Sequence, residues 1–437
     1  MEKEATQIAI LGAGIFVRST YIPILAEISN LFTLKAIWSR TEESARGAVE
    51  IAQKHFPGVI CKWGDVGLDE IIHDDSIIGV TVVLAGQKQV DISLRLLKAG
   101  KHVLQATSEL ETALSSYKSI CANLPCQPIW AVAENYRFEP AFIECKKLMA
   151  DIGNMMSVQV IIEGSMNSSN PYFSSSWRRN FTEWLALTRL ALFPYCMLSL
   201  VLPSVTGASL SSYAGGFHPG HGSHYIAALR MIVECEVVSV SAMTSHVDTT
   251  LPPPDNISSL FQLENGCSGV FVMIIWRVVG LKGTLQVERA NLDGRHGYQV
   301  CFYSSDGKSK NSFFPFSGVL DEFKTFIHNV SQASIKKGSA YEADPRLSFL
   351  EGARDVAVLE AMLESGTGQG ELVHAKVPAA ILSDIWLLPV GKLFSVSRRN
   401  SVFFFLMSQQ LDIDLLKSEE KHAYHMSNHI SDLLGPE

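Results

Sequence analysis

Short apolar runs alternate with amphipathic segments along the first third of the chain. The apolar runs are rich in β-branched residues, as expected for short buried strands. They cover residues 7–12, 34–40, 59–63, 77–85, 101–105 and 129–134. Between them, apolar residues recur with the spacing of amphipathic helices. Strands and helices that alternate in this way predict an α/β fold with a doubly wound parallel sheet, and we assign residues 1–134 to such a Rossmann domain.

The pattern changes in the second part of the chain, where strand-like runs follow one another across tight turns. Asn265-Gly266 and Asp306-Gly307 each lie between two such runs, which predicts a β-hairpin at both places. Residues 320–334 and 348–363 have helical periodicity and are predicted to close this part of the chain. We therefore expect a second, α+β domain over residues 135–380.

Composition and charge narrow the class of protein. The chain has 437 residues and is 47% apolar, which suits a soluble protein of about two or three domains. Its 36 Lys and Arg against 44 Asp and Glu give a net charge of −8, which argues against a nucleic-acid partner. The eight cysteines show no zinc-type spacing, and the start of the chain lacks a signal or transit-peptide pattern. We therefore expect reduced thiols and a cytoplasmic protein.

A glycine-rich turn, GAGIF, follows the first predicted strand and begins the first predicted helix. Gly12 permits the tight turn, and Gly14 lets backbone N–H groups approach a pyrophosphate at the helix N-terminus. We expect cofactor contacts from Gly12, Gly14, Ile15 and Phe16. Val17 stands where the dinucleotide fingerprint has its third glycine, and this weakens the motif because its bulk separates helix from strand.

The end of the second strand bears on the choice of cofactor. NAD-binding folds usually carry an Asp or Glu there for the ribose 2′-hydroxyl, whereas this chain has Ser39, Arg40 and Thr41. Two hydroxyls and a cation favour a 2′-phosphate. We therefore predict NADP in preference to NAD, with a solvated loop cation as the alternative interpretation of Arg40.

With these motifs placed, the chain resembles the Gfo/Idh/MocA family of NAD(P)-dependent oxidoreductases. The matching segments are GAGIF, AGKHVLQ at 99–105, AENYRFEPAF at 133–142, GGF at 215–217 and GSHYIAALRM at 222–231. They occur in the order found in the family and extend the resemblance over residues 7–180 and 215–375.

The resemblance implies a Rossmann domain followed by an α+β domain whose open, mostly antiparallel sheet carries the substrate side and can form a homo-oligomer. It implies a hydride transfer between NAD(P)(H) and the hydroxyl or carbonyl of a sugar or polyol. It also places four further residues along the cofactor cleft: Ala85, Gly86, Gln105 and Asn135.

Two catalytic motifs of the family are altered in this chain. Ala106, Thr107 and Ser108 occupy the positions of its Glu-Lys-Pro motif, so the proton-transferring lysine is absent. In the second motif, Gly220 replaces the aspartate while His224 is retained. His224 is therefore the one remaining catalytic candidate, and its alternative interpretation is a histidine satisfied at a helix start.

Ser108 and Glu111 have the spacing of a capping box, which predicts a helix from Ser108 and leaves no room for a lysine-bearing turn. Metal binding by His218, His221 and His224 is not expected, because no carboxylate or thiol lies beside them in the sequence.

An apolar insertion at 181–214 interrupts the second domain, and residues 381–437 form a divergent extension. The run 184–203 has the length of a membrane span, but it lies within matched segments of a folded domain, so we predict no membrane crossing. The insertion has three alternative interpretations: a lid-like hairpin, a partner-binding surface or a product of altered splicing. The function has two: an oxidoreductase with weak or lost activity, or a non-catalytic dinucleotide-binding sensor or regulator.

Overall fold

The computed structural model describes residues 5–84, 86–106, 111–161, 219–246, 254, 256–271, 275–335 and 341–376. These residues form two β-sheets with helices packed against them. The insertion at 181–214 and the extension at 381–437 lie outside the described residues.

The first sheet is entirely parallel. Its strands are β1 (Thr6–Leu11), β2 (Phe32–Ser39), β3 (Ile60–Trp63), β4 (Gly79–Val82), β5 (His102–Ala106) and β6 (Trp130–Ala133). They follow the order β3-β2-β1-β4-β5-β6, which confirms the predicted doubly wound sheet. The winding reverses between β1 and β4, and open parallel sheets bind ligands outside the carboxyl ends of their strands at such a point.

Helices cover both faces of this sheet. They are α1 (Ile22–Ala26), α2 (Glu42–Ala52), α3 (Gly64–His73), α4 (Gly86–Lys98) and α5 (Glu111–Asn123). Along β1, Ile8 and Ile10 pack into one core while Ala9 and Leu11 pack into the other. Both sets are fully buried, as expected for a parallel strand between two helical layers.

The first helix has an irregular turn next to a proline. Residues Val17–Tyr21 form a π-helical turn directly before α1, and Pro23 lies in the first turn of α1. Because proline has no N–H to donate, the regular hydrogen-bond ladder is interrupted there, and the Ile22 N–H donates to the Val17 carbonyl. Tyr21 is buried at the end of this turn.

The second sheet has nine strands in the described part of the chain. They are β7 (Met155–Ile161), β8 (Val237–Ser245), β9 (Asn256–Leu263), β10 (Ser268–Phe271), β11 (Ile275–Gly280), β12 (Gly283–Leu292), β13 (Arg295–Ser304), β14 (Ser309–Pro315) and β15 (Val373–His374). Their order is β14-β13-β12-β11-β7-β10-β9-β8-β15. The β7–β10 pair is parallel and the other described pairs are antiparallel, so the expected mostly antiparallel sheet is confirmed.

Both predicted hairpins are present. The turns between β9 and β10 and between β13 and β14 contain Gly266 and Gly307, with φ angles of 85° and 84°. This left-handed conformation is one that glycine adopts without steric cost.

Among the described residues, four further helices join the two sheets: α6 (Pro140–Leu148), α7 (Pro219–Val233), α8 (Gly318–Ile335) and α9 (Phe349–Thr367). The last two confirm the predicted closing helices. Phe323 and Phe326 of α8 share a core with Ile8 and Ile10 of the first sheet, and α9 packs against β8 and α7. The chain thus returns to the first sheet after forming the second. In the described ranges, no helix is both long and apolar enough to cross a membrane.

Candidate active site

The turn after β1 has the shape that the glycine motif predicts. The Gly12 φ angle is 127°, and a Cβ atom there would lie 2.1 Å from the Val83 carbonyl oxygen. A side chain at this position is therefore excluded by both backbone conformation and space. A Cβ atom on Gly14 would meet nothing within 4 Å, and Ile15 is 43% exposed. Since the surface of the turn is open at the N-terminal end of the first helix, these residues fit a dinucleotide pyrophosphate.

The end of β2 presents hydroxyl groups and a cation, as the sequence predicts. Ser39 is half-buried and Arg40 is exposed. Thr41 is the N-cap of α2, where its Oγ1 accepts a hydrogen bond of 3.4 Å from the Ser44 N–H. Its hydroxyl therefore already has a structural role. Arg18 donates to the Ser44 carbonyl over 2.8 Å, which fixes the start of α2 against the first helix.

The other four predicted cofactor residues, Ala85, Gly86, Gln105 and Asn135, follow later strands of the first sheet or end them. Ala85 lies outside the described residues, and Gly86 begins α4. Gln105 is fully buried at the end of β5, and its Oε1 accepts a hydrogen bond of 3.0 Å from the Trp130 indole. Asn135 begins a 3₁₀ turn, Asn135–Phe138, directly after β6. Its carbonyl oxygen packs against Gly318, where a Cβ atom would lie 2.4 Å away.

The position of the family's lysine lies in the junction between β5 and α5. β5 ends at Ala106 and α5 begins at Glu111, while Thr107 and Ser108 lie outside the described residues. The predicted helix start at Ser108 stays a prediction. Lys101 precedes β5 and donates to the Asp74 carbonyl over 2.6 Å, so it lies at the strand's amino end, away from the switch point.

His224 is held by a carboxylate that sequence reasoning missed. Its Nδ1 lies 2.5 Å from Oε1 of Glu134, which directly follows β6 and is fully buried. The His224 side chain, on α7, is 24% exposed. Burial lowers the pKa of His224, whereas the charge and hydrogen bond of Glu134 and the charge of Asp355 raise it, and the net shift is upward.

A second acid lies near Glu134. Glu322 of α8 is 3% exposed. Burial raises the pKa of Glu322 well above its usual range, the charge of Glu134 adds to the rise, and Arg137 opposes it. Burial thus favours the neutral form of Glu322, whereas Glu134 is the acid that contacts the histidine.

A buried ion-pair network fixes the elements that carry the dyad of His224 and Glu134. Arg137, in the 3₁₀ turn after β6, is paired with Asp355 of α9. Arg230 of α7 donates to the other oxygen of Asp355 over 2.5 Å. Arg230 also pairs with Glu236 and Glu351 at 2.7 and 2.8 Å. One carboxylate therefore ties α7 and the turn after β6 to the same point on α9.

Aromatic rings enclose the dyad on one side. The Tyr136 ring stacks on the His224 imidazole with ring centroids 5.3 Å apart and an interplanar angle of 19°. The Tyr136 hydroxyl accepts a hydrogen bond of 3.3 Å from Arg289 of β12. Tyr225 and Trp276 complete this group, with ring centroids 5.7 and 6.1 Å from Tyr136.

Of the three histidines considered as a metal site, His221 and His224 lie on α7 and His218 is outside the described residues. Within the described ranges, no group of three or more His, Cys, Asp or Glu side chains has a metal-binding arrangement. A buried carboxylate orients the His224 imidazole, and such an arrangement is chemically able to exchange a proton.

Comparison with known proteins agrees with this architecture. Residues 6–106 match the sequence model of the Gfo/Idh/MocA group, described as an oxidoreductase family with an NAD-binding Rossmann fold. This part of the chain is thus similar to the NAD-binding Rossmann domain of that family. The resemblance found in the motifs is thereby confirmed, and NAD(P) binding is a property of the family.

Individual relatives extend the match to most of the chain. Dehydrogenase FPY6 from Fusarium mangiferae is 28% identical over 389 residues, which cover 84% of this chain and 99% of that protein. The structure of levoglucosan dehydrogenase in complex with NADH has 16% identity and a TM-score of 0.59, covering 85% of this chain and 100% of that one. The structure of the transcriptional regulator Gal80p from Kluyveromyces lactis has 13% identity and a TM-score of 0.60, covering 86% of this chain and 95% of that one. The two structural comparisons establish a common fold.

Proposed function

We propose that the protein is an NADP(H)-dependent oxidoreductase that interconverts a hydroxyl and a carbonyl group of a sugar or polyol. The observation that carries this proposal is the 2.5 Å contact between His224 and the buried Glu134. An imidazole fixed by a buried carboxylate is suited to exchange a proton with a substrate oxygen. Levoglucosan dehydrogenase, which shares the fold, supports a sugar-type substrate.

The cofactor residues in this proposal lie on two turns. The backbone of Gly12, Gly14, Ile15 and Phe16 binds the pyrophosphate at the start of the first helix. Ser39 and Arg40 bind the 2′-phosphate, and Thr41 shapes this site as the cap of α2. The absence of a carboxylate from positions 39 to 41 supports NADP in preference to NAD.

The histidine supplies the proton chemistry. A nicotinamide cofactor held by the turn at Gly12 and Gly14 would supply the hydride chemistry at the substrate carbon. Nε2 of neutral His224 takes the proton of the substrate hydroxyl, and the Glu134 carboxylate stabilises the resulting imidazolium through Nδ1. In the reverse direction, the imidazolium returns the proton to the oxygen as the carbonyl is reduced.

This assignment replaces two lost groups with one residue. The family's lysine and aspartate positions are occupied by Thr107 and Gly220, whereas Glu134 provides a carboxylate from a different element. Glu134 is a positioning residue in this scheme, because it acts on the substrate through His224.

A non-catalytic dinucleotide-binding regulator is the second candidate. The missing lysine favours it, because loss of a general acid or base typically lowers rates by about 10²- to 10⁴-fold. The shared fold of Gal80p supports it as well. In that case the cofactor turn would be retained and turnover would be absent.

The test uses the purified full chain. Fluorescence titration with NADPH and NADH should show tighter binding of NADPH, and a panel of sugars and polyols with NADP⁺ should reveal turnover. His224→Ala should lower kcat by about 10²-fold or more. His328→Ala, which changes an exposed histidine on α8, should leave it unchanged. Binding without turnover would support the regulator, and no binding of either nucleotide would contradict both functions.

Assembly and location complete the proposal. The open face of the second sheet carries Met243 and Leu260, which are 59% and 61% exposed, and such apolar side chains suit a homo-oligomer. We assign the protein to the cytoplasm on its cysteine pattern.

A further inference from the structure

Arg289 lies at the end of the second sheet that meets the dyad. β7 ends at Ile161, which pairs with Ile275 at the start of β11, and Ile275 pairs with Glu288 of β12. Arg289 is the next residue. It shares a sheet face with Val287, which is buried under the helices. Arg289 is therefore positioned between the sheet and the turn after β6.

The contacts of Arg289 connect it to His224 through one side chain. Its Nη2 donates to the Tyr136 hydroxyl over 3.3 Å, and the Tyr136 ring stacks on the His224 imidazole. The Tyr136 side chain therefore lies between the two residues, with its ring against the imidazole and its hydroxyl against the guanidinium. A polyhydroxyl molecule that places its reacting carbon at His224 and extends past Tyr136 reaches Arg289.

Phenols surround the guanidinium group. Tyr298 is its direct cross-strand partner on β13, and the ring centroids of Tyr225 and Tyr298 lie 5.7 and 6.3 Å from that of Tyr136. Burial raises the pKa of the Tyr225 and Tyr298 phenols, and the charge of Arg289 opposes that rise in both. The Tyr225 and Tyr298 side chains are therefore neutral hydroxyls at physiological pH, which can donate hydrogen bonds to an anion.

The charge of Arg289 has no paired carboxylate in the described part of the chain. Arg230 and Arg137, which have a structural role, pair with a buried carboxylate. Arg289 forms no such ion pair within the described residues. Glu139 is near enough for Arg289 to lower its pKa, but burial raises the pKa of Glu139 to about 7. The Glu139 carboxylate instead accepts hydrogen bonds from the Ser317 and Gly318 N–H groups. Arg289 is also solvent-exposed and so accessible to a ligand.

We propose that Arg289 is a specificity-determining residue that binds an anionic group, a carboxylate or a phosphate, on the polyhydroxyl substrate. A guanidinium fork matches both anions, and the neighbouring phenols complete the polar end of this subsite. The inference rests on the proposed oxidoreductase function, and it narrows the substrate from neutral sugars and polyols to their acidic derivatives.

The test compares three matched compounds: D-glucose, D-glucuronate and D-glucose 6-phosphate. With NADP⁺ and the full chain, kcat/KM should be about 10- to 100-fold higher for at least one anionic compound than for glucose, as expected for a charge-assisted hydrogen bond. A preference for glucuronate identifies the carboxylate, and a preference for the 6-phosphate identifies the phosphate. Equal kcat/KM values for the three compounds would overturn the inference while leaving the oxidoreductase function intact.

Two variants test the residue itself. Arg289→Gln should raise KM for the preferred anionic compound about 10- to 100-fold more than it raises KM for glucose. Arg277→Gln is the matched control, because Arg277 is an exposed arginine on β11 that lies on the other face of the sheet from Arg289. An Arg289→Gln variant that loses glucose and anionic substrates equally would show a structural role and overturn the inference.

Calorimetric titration of the NADP⁺-loaded protein with the same compounds supplies a readout that does not need turnover. Anion binding that is weakened in Arg289→Gln but not in Arg277→Gln would support the subsite even if no substrate is oxidised, which would separate it from the failure of the proposed function. If no compound binds and none is turned over, both proposals fail.

Discussion

Replacing Glu134 by glutamine gives the sharpest test of the dyad. Glutamine has nearly the same shape and keeps an oxygen near His224 Nδ1, so Glu134→Gln removes the charge without opening a cavity. Because Glu134 is fully buried and 2.5 Å from the ring nitrogen, its charge acts on the imidazolium with little solvent screening. In the variant, this charge no longer opposes the effect of burial, so the pKa of His224 should fall.

The size of the effect follows from the kind of hydrogen bond that is lost. A hydrogen bond to a charged group exceeds a neutral one by about 1 to 2 kcal/mol. This corresponds to a decrease of about 5- to 30-fold in the ratio of imidazolium to imidazole. Carbonyl reduction needs the imidazolium, so its rate at a pH above the pKa of His224 should fall by a similar factor.

Alcohol oxidation should respond in the opposite sense at low pH. It needs neutral His224, which is populated above the pKa, so the rising limb of the oxidation profile should move to lower pH in Glu134→Gln. The assay measures kcat/KM against pH in both directions through NADPH absorbance, and an NMR titration of the His224 ring reports the same shift without turnover. Glu70→Gln, which removes an exposed carboxylate paired with Lys62, is the control and should leave both profiles unchanged.

The reasoning would be refuted by a Glu134→Gln protein that folds, binds NADPH normally and keeps both wild-type pH profiles. Such a result would mean that the charge of Glu134 does not govern the protonation of His224. A uniform loss of activity at every pH would equally contradict it, because a change in protonation must depend on pH.

Three further predictions concern the cofactor turn, cofactor choice and stability. Gly12→Ala places a Cβ atom 2.1 Å from the Val83 carbonyl oxygen. Thermal unfolding should therefore show a free energy of unfolding that is lower by at least about 1 to 3 kcal/mol, and NADPH binding should be abolished. Arg40→Asp removes the 2′-phosphate cation while keeping the Thr41 cap of α2, so the Kd ratio of NADH to NADPH should shift at least about tenfold toward NADH; an unchanged ratio would assign Arg40 to solvent. Burial raises the pKa of Glu139 from 4.5 to about 7, so its contribution to the free energy of unfolding is present below the unfolded pKa and is lost as pH rises through about 7. Glu139→Gln should therefore reduce the fall in stability between about pH 5 and pH 8 by on the order of 3 kcal/mol in urea titrations, and an unaltered pH dependence would argue against the shift.

Local patterns were sufficient to predict most of the fold. The apolar runs of the first sheet and the turns at Gly266 and Gly307 correspond to strands and hairpins in the structure, because strand period and turn chemistry are encoded in adjacent residues. The π-helical turn before α1 was not predicted, although Pro23 was its visible signal.

The site was less accessible to sequence reasoning. Glu134 lay within a motif that was recognised, yet its partner His224 is 90 positions away. Nothing in the local pattern indicates that the end of β6 and a turn of α7 come together, since that contact depends on how two sheets and their helices pack. The same holds for Asp355, whose pairing with Arg137 and Arg230 joins three separate elements.

The anchoring of α7 bears on how this chain tolerates added length. Arg230, on the same helix as His224, is tied to α9 through Asp355 and Glu351, so the helix is fixed from its carboxyl-terminal half. Added length in the chain ahead of α7 therefore need not displace the histidine from Glu134. The contact between His224 and Glu134 can persist through such a change, because the ion pairs that hold the helix follow the histidine in the sequence.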